Sequence, residues 1–241
     1  MITDIMLKLT DRCNLDCSYC NMKKKNSTEV TPQTAMNIIH NIDVLSKINY
    51  GKPLNVFISG GEITLLPLEL LEWFYGALRT IPNLRMSMNT NGTLFTQKHA
   101  ELCKKYGVDV SLSLDGSKDI HDSHRSNSFD DVMATVSYLN QEKIKYGLIT
   151  VIDDLSFNQR EELYNFFKKT GLSTKINKAD GYISHKKYTD FLIYLSKKLK
   201  EDNNPFREYT LSDIENTING KLSHCVGCAW SNCYRDFIAI D

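Results

Sequence analysis

The sequence predicts an α/β fold with a parallel sheet, and three observations carry that prediction. Short strand-like runs alternate with helical runs about six times between Ile2 and Ala179. The helical runs open at capping residues or close at glycines. The polar turns that carry chemistry follow strand-like runs. Alternation of this kind brings the strands side by side through crossover helices, which makes the sheet parallel.

Each element has its own local reason. "ITDIMLKLT" (Ile2–Thr10) reads as the first strand. After a cysteine-bearing loop, "TPQTAMNIIHNIDVLSKI" starts a helix, with Thr31 as N-cap and Pro32 at the first helical position. Ala35, Ile38, Ile39, Ile42 and Leu45 give that helix its apolar stripe. "LNVFISGGE" is a strand entering a glycine turn, and "LPLELLEWFYGAL" is the next helix. "LRMSMNTNG" is a strand, and "TQKHAELCKKYG" is a helix closed by Gly107. "VDVSLSLDG" is a strand, followed by a helix in "SFDDVMATVSYLNQEKI" capped by Ser128. "YGLITVID" is a strand, "NQREELYNFFKKTG" a helix ending at Gly171, and "LSTKINKA" a weaker strand. "ISHKKYTDFLIYLSKKLKED" is a further amphipathic helix. A polar linker with Pro205 and a short helical piece from about Ser212 precede a second cysteine cluster.

Composition excludes several function classes. Of 241 residues, 29 are Lys or Arg and 29 are Asp or Glu, so the net charge is zero. That balance argues against a general nucleic-acid binder. The N-terminus lacks a basic stretch leading into an apolar core, so no signal peptide is expected. No apolar run approaches the roughly 20 residues that span a bilayer. A cytoplasmic location is therefore expected, where disulfides are rare. Six of the seven cysteines fall in two clusters, Cys13/Cys17/Cys20 and Cys225/Cys228/Cys233. In a reducing compartment such clusters read as metal or iron–sulfur ligands. The seventh, Cys103, lies in a helical pattern and is expected to be a buried, inert thiol.

In parallel α/β folds, ligands gather at the C-terminal ends of the strands. Four turns fall there in succession: "DRCNLDCSYC", "SGGE" (Ser59–Glu62), "NTNG" (Asn89–Gly92) and "SLDG" (Ser113–Gly116). Alone, each of the last three would read as an ordinary turn. Cys13, Cys17 and Cys20 supply three thiolates, whereas a four-iron cluster is normally held by four. Such a loop leaves one iron open to a small molecule bearing an amine and a carboxylate. The alternative is a zinc knuckle, which needs a fourth Cys or His nearby, and none other lies between Asp11 and His40. Lys23–Lys25 reads as a solvated run, and His121 and His124 as local capping or hydrogen-bonding groups.

The spacing Cys13-x3-Cys17-x2-Cys20, with Tyr19 before the last cysteine, resembles the radical S-adenosylmethionine (AdoMet) superfamily. "ISGGEITLLP" is similar to its glycine-rich motif for the methionine amine. "MNTNGTL" and "SLSLDGSKDIHDSHR" resemble its peptide- and protein-modifying branch, which includes anaerobic sulfatase-maturating enzymes and maturases of ribosomal peptides. The resemblance implies a partial (β/α)6 TIM-like barrel over residues 1–180. It also implies a 4Fe–4S cluster on Cys13, Cys17 and Cys20 with one open iron, and AdoMet bound there. Tyr19 would lie near the adenine, Gly60 and Gly61 would let backbone approach the ligand, and Glu62 would accept from the methionine ammonium. Ser113 and Asp115 would meet the ribose or the methionine carboxylate, with help from Asn89 or Asn91. Ile63 replaces the usual proline after the Glu. Ala134 stands where some relatives carry an arginine for the carboxylate, leaving Arg125 or Ser113 for that contact.

Residues 181–241 are expected to form a helical linker and a short cysteine-containing extension. "HCVGCAWSNCYRDFIAID" resembles the opening of the SPASM or twitch extensions that hold auxiliary iron–sulfur clusters. Cys225, Cys228 and Cys233 could hold one such cluster, or zinc together with His224. The extension is expected to be incomplete, because the sequence stops at Asp241, and no leader-peptide-binding domain is expected ahead of the first strand. The implied activity is one-electron cleavage of AdoMet to a 5′-deoxyadenosyl radical, which takes hydrogen from a peptide or protein. Reduced flavodoxin or ferredoxin would be the electron donor. The alternatives are an activase for a glycyl-radical enzyme and a non-enzymatic iron–sulfur electron-transfer protein. The glycine–Glu motif and the six βα units argue against the last.

Overall fold

The computed structural model describes residues 2–20, 28–49, 52–203 and 206–219, and the backbone of 237–240. Cys225, Cys228, Cys233 and His224 lie outside the described residues, as does the lysine run at 23–25. The strands β1 (Asp4–Lys8), β2 (Leu54–Ser59), β3 (Leu84–Thr90), β4 (Val108–Ser113), β5 (Tyr146–Ile152) and β6 (Thr174–Lys178) pair in chain order, all parallel. A further strand, β7 (Phe237–Ile240), pairs parallel with β1, so the sheet order is β6-β5-β4-β3-β2-β1-β7. The sheet does not close between β6 and β1 among the described residues. The result is a partial (β/α)6 barrel, open on one side.

Crossover helices cover the outer face. They are α1 (Pro32–Ile48), α2 (Leu68–Arg79), α3 (Gln97–Tyr106), α5 (Phe129–Gln141) and α7 (Arg160–Thr170). Thr31 caps α1 by accepting from the Thr34 amide, with Pro32 in the first turn. Gly107 and Gly171 end α3 and α7 in the left-handed conformation, at φ 60° and 66°, where a Cβ would be strained. Two short helices escape the periodicity. The helix α4 (Lys118–His124) is a seven-residue polar piece inside "SKDIHDSH". A second short helix, α6 (Asp154–Asn158), precedes α7 and is capped by Asp153, which accepts from the Ser156 amide. The last helices are α8 (His185–Glu201) and α9 (Tyr209–Ile218), the latter beginning three residues before the position predicted from sequence. Ser128 stands at the start of α5, but its hydroxyl donates to the Arg125 carbonyl instead of capping the helix.

Parallel strands usually read as continuous apolar runs because both faces are covered. Here they alternate. Val56 and Ile58 on β2, Met86 and Met88 on β3, and Val110 and Leu112 on β4 are buried against the helices. The opposite face carries Ser59, Asn89, Ser111 and Ser113 and is only partly covered. The half-barrel therefore presents a polar inner wall.

The free edge of β6 is covered. The Ile176 amide donates to Thr210 Oγ1 (2.9 Å) and Glu208 Oε1 (3.1 Å), and the Thr174 amide donates to the Arg207 carbonyl (3.0 Å). The segment entering α9 and the first turn of that helix thus take the place of a neighbouring strand and satisfy an edge that would otherwise invite pairing. Aromatic packing fixes that segment: Phe206 stacks on Phe167, with ring centroids 5.4 Å apart, and on Tyr164. Phe167 is fully buried. Phe167→Ala is expected to cost about 3–5 kcal/mol, read as a lower urea midpoint.

Candidate active site

The cysteine loop leaves β1 and is held at its base by backbone bonds. The Val30 amide donates to the Leu9 carbonyl and the Asp11 amide to the Thr28 carbonyl, while Thr10 and Glu29 form an antiparallel bridge. Arg12 pairs with Glu29 across this base. Two more bonds dock the loop on the glycine turn after β2: Gly61 N to Thr10 O and Glu62 N to Arg12 O, both 2.7 Å.

This close crossing explains the glycines. A Cβ at Gly61 would stand 2.1 Å from the Arg12 carbonyl oxygen, and one at Gly60 would stand 2.7 Å from that of Thr10. The observed demand for glycine thus comes from the chain's own cysteine loop. Both glycines also line the cavity described below.

Glu62 is buried and does not line that cavity. Its Oε1 accepts from the Thr64 amide (3.0 Å) and from the hydroxyls of Thr64 (2.7 Å) and Thr90 (2.5 Å), and its Oε2 accepts from the Asn91 amide (2.6 Å). The carboxylate ties the turn after β2 to the turn after β3. Asn91 continues the link, since its Nδ2 donates to Asn14 Oδ1 (2.9 Å) and lies 3.9 Å from Cys13 Sγ.

The other flank of the loop rests on β4 and α4. Asp115, just after β4, is fully buried. Its Oδ1 accepts from the Val151 amide (2.9 Å), and its Oδ2 accepts from Arg125 Nε (2.8 Å) and from the Tyr19 hydroxyl. Burial alone would raise this carboxyl's pKa. The Arg125 charge, the nearby His124 imidazole and the bonds from Arg125 and Tyr19 outweigh burial and hold it well below the carboxylate range. Burial, with Asp115 beside it, pushes the Tyr19 hydroxyl up, so it stays a donor. The Arg125 guanidinium lies over the Tyr19 ring, 5.4 Å from its centroid. The loop backbone joins the same flank: Ser18 N donates to His124 O (3.0 Å), and Asp16 N to Ser126 Oγ (3.1 Å).

The two histidines of α4 differ. His121 Nδ1 accepts from the Asp115 amide (3.2 Å) while Nε2 meets the Ser128 hydroxyl (3.0 Å). Burial lowers its pKa to about 4, so it is neutral. This is the local hydrogen-bonding role expected from sequence. His124 instead lies between two carboxylates, with Nε2 3.0 Å from Asp153 Oδ2 and Nδ1 3.8 Å from Asp115 Oδ2.

Between these flanks opens a cavity of about 390 Å³, a volume suited to a small-molecule ligand. Cys13, Cys17, Cys20 and Tyr19 line it from the loop. Ser59, Gly60, Gly61, Asn89, Thr90, Asn91 and Ser113 line it from the ends of β2, β3 and β4. Asp115 and Glu62, also expected in contact with ligand, stand behind the wall as buried supports. Sequence reading missed the far wall: Ile149 and Val151 on β5, and Asn177, Lys178, Ala179 and Asp180 at the end of β6. Their inward alternation was the available signal. Arg125 also lines the cavity and reaches within 4.0 Å of Cys17 Sγ.

The three thiols ring this space. Among the described residues, no three His, Cys, Asp or Glu side chains gather around one point as a single metal ion requires. Three thiols from one loop opening on one cavity fit a four-iron cluster with one iron left open. Burial pushes the Cys17 thiol up to about 11, against the pull of Arg125, and raises that of Cys13. Binding a thiophilic metal therefore displaces protons from these thiols.

Comparison with known proteins agrees with this geometry. Residues 7–167 match the radical SAM superfamily. Over 173 residues the chain is 28% identical to the cysteine-type anaerobic sulfatase-maturating enzyme of Clostridium novyi, covering 66% of this chain and 46% of that protein. It is 30% identical over 176 residues to the serine-type enzyme of Bacteroides thetaiotaomicron, covering 65% of this chain and 41% of that one. The chain thus spans less than half the length of these two relatives. The solved structure of native anSMEcpe with bound AdoMet superposes with a TM-score of 0.80 at 22% identity, over 92% of this chain and 69% of that one. Streptococcus suis SuiB bound to its precursor peptide SuiA gives 0.70 at 17% identity, over 100% of this chain and 57% of that one. At these identities the likeness to solved structures is one of fold.

Gly61→Ala is expected to destabilise the protein by at least about 1–3 kcal/mol, as overpacking does. Gly147→Ala, where an added Cβ meets nothing within 4 Å, should stay near wild type. Thermal melting of both variants checks the contrast.

Proposed function

The chain belongs to the radical SAM superfamily, and on that premise we propose that it is an enzyme that modifies a peptide or protein by radical chemistry. The observation that carries this reading is the convergence of Cys13, Cys17 and Cys20 with Tyr19, Gly60 and Gly61 on one cavity at the strand ends. The named relatives are sulfatase-maturating enzymes, and one fold neighbour was solved with its precursor peptide. Residues 1–180 form the barrel in this reading, and residues 181–241 its extension.

Cys13, Cys17 and Cys20 would hold a 4Fe–4S cluster, which would supply the electron for reductive cleavage of AdoMet to a 5′-deoxyadenosyl radical able to take hydrogen from the substrate. The chain's own residues bind and orient. Gly60 and Gly61 present backbone to the methionine end of AdoMet. Arg125, held at Nε by Asp115, turns its remaining guanidinium donors toward the cavity and offers a cation to the methionine carboxylate, with Ser113 beside it. Asn89 and Asn91 offer amide partners, and Tyr19 offers its ring to the adenine. Glu62 acts from behind the wall in this reading, tying together the turns after β2 and β3 that carry Gly60, Gly61 and Asn91. Asp115 acts through Arg125 and Tyr19. Reduced flavodoxin or ferredoxin is the electron donor in this reading. No helix among the described residues is long and apolar enough to cross a membrane.

Two experiments test these assignments. Anaerobic reconstitution with iron, sulfide, AdoMet and dithionite should yield 5′-deoxyadenosine, and the Cys13→Ala/Cys17→Ala/Cys20→Ala variant should yield none. Continued production by that variant would sink the assignment. We also assign an auxiliary iron–sulfur cluster to Cys225, Cys228 and Cys233. Replacing all three with Ala should lower iron per chain while AdoMet cleavage persists. Equal iron in both proteins would remove the auxiliary cluster.

A further inference from the structure

We infer that His124 and Asp153 form a buried positioning pair that braces Asp115, and through it sets Tyr19 and Arg125 against the cavity. His124 is 3% exposed, and its two ring nitrogens face carboxylates from two different strand ends. Asp153 follows β5 and Asp115 follows β4. The imidazole thus spans two turns whose strands pair only as far as Ser113 and Ile149. Neither ring nitrogen has hydrogen-bond alignment with a partner, so the contacts are electrostatic. Asp153 is itself fixed, accepting from the amide and hydroxyl of Ser156, both at 2.9 Å.

The charges show why the pair is needed. Asp115 and Asp153 are two carboxylates at one buried corner, and Arg125 alone would leave a net negative charge there. A protonated His124 balances the set. Burial opposes that charge, but the neighbouring Asp115 and Asp153 overcome it and push the imidazole up to about 9. The groups facing His124 are Asp115 from the end of β4, Asp153 from the turn after β5, Arg125 and neutral His121 from α4, and Tyr19. The Tyr19 ring meets His124 edge-on, with centroids 5.5 Å apart. Without His124, the surplus charge on Asp153 and Asp115 competes for Arg125 and draws its guanidinium away from the cavity. His124 touches no cavity space, so it is a positioning residue.

The sign follows from linkage. A histidine whose folded-state pKa is raised contributes fully below its ordinary value near 6.5, and the contribution is lost as pH rises through about 9. The test uses the reconstituted protein with His124→Gln, Asp153→Asn, the double variant and Asp153→Glu. AdoMet affinity by isothermal titration should fall about tenfold in each uncharged single variant, with less than additive loss in the double. Asp153→Glu should stay near wild type. The His124 ring resonances, identified by their loss in His124→Gln, should titrate near 9 in wild type and at least about one unit lower in Asp153→Asn.

A purely structural role would lower melting temperature in the single variants and leave affinity unchanged, which would overturn the proposal. So would a wild-type His124 midpoint at or below the ordinary value. If His124→Gln fails to fold, the Asp153 variants and the ring titration still decide. The affinity arm rests on the AdoMet-binding reading of the cavity. Wild type that binds no AdoMet would sink that reading, while the ring titration would still judge this pair.

Discussion

The arrangement at the strand ends depends on one buried carboxylate. Asp115 is out of contact with solvent, and an ionised carboxyl there is tolerated only when donors surround it. Its donors come from three separate parts of the chain: Val151 from β5, Tyr19 from the cysteine loop and Arg125 from the end of α4. Each would otherwise be free to settle elsewhere. The cost of leaving Asp115 unpaired is what forces the loop, the helix and the neighbouring strand into one arrangement. Breaking a buried pair on one side costs about 3–5 kcal/mol, more than most single contacts contribute.

A second brace works on the opposite side by a different means. Gly60 and Gly61 let the cysteine loop lie directly on the turn after β2, and Glu62 ties that turn to the one after β3. The loop is therefore clamped between a backbone contact on one flank and an ionic network on the other. The cysteines sit between the two clamps, on a loop whose base is closed by the Thr10–Glu29 bridge. A ligand set spaced for one cluster has to be held this way, since no regular element runs through it.

Much of this was legible in the sequence. Parallel order followed from the βα alternation, and the cysteine spacing located the mouth of the barrel. Gly107 and Gly171 were readable as helix stops because their function is local. The parts that were not legible are tertiary. Nothing near "SKDIHDSH" announces a helix, because its short run has too few apolar positions to show a period. Glu62 and Asp115 look like ligand contacts in the sequence, and both stand behind the cavity wall; only packing shows which side of a turn a carboxylate faces. His121 and His124 lie three residues apart on one helix, and burial lowers the pKa of both, yet Asp115 and Asp153 on either side of His124 turn its shift upward. Asp153 enters from a turn nearly thirty residues further on. The pairing of β7 with β1 is equally non-local, and "DFIAID" alone suggests a strand without naming its neighbour.

The polar inner wall and the open side of the sheet have a common cause. A closed eight-stranded barrel fills its interior with side chains, whereas this seven-stranded sheet stays open between its edges among the described residues. Water reaches the inner face, so Ser59, Asn89 and Ser113 can stand there without the penalty of buried unpaired hydroxyls and amides. The outer face, pressed against the helices, carries Val56, Met88 and Leu112 and admits hydroxyls only where they are bonded, as Thr150 and Thr174 are to each other. Alternation along each strand is thus the imprint of an unfilled interior. The apolar exceptions at the cavity, Ile149 and Val151 on β5, lie on the same inner wall and are half-buried there. Arg125 stands on the same side, since its Nε and the Val151 amide share the Asp115 carboxylate, so a cation and an apolar surface meet at one corner of the cavity.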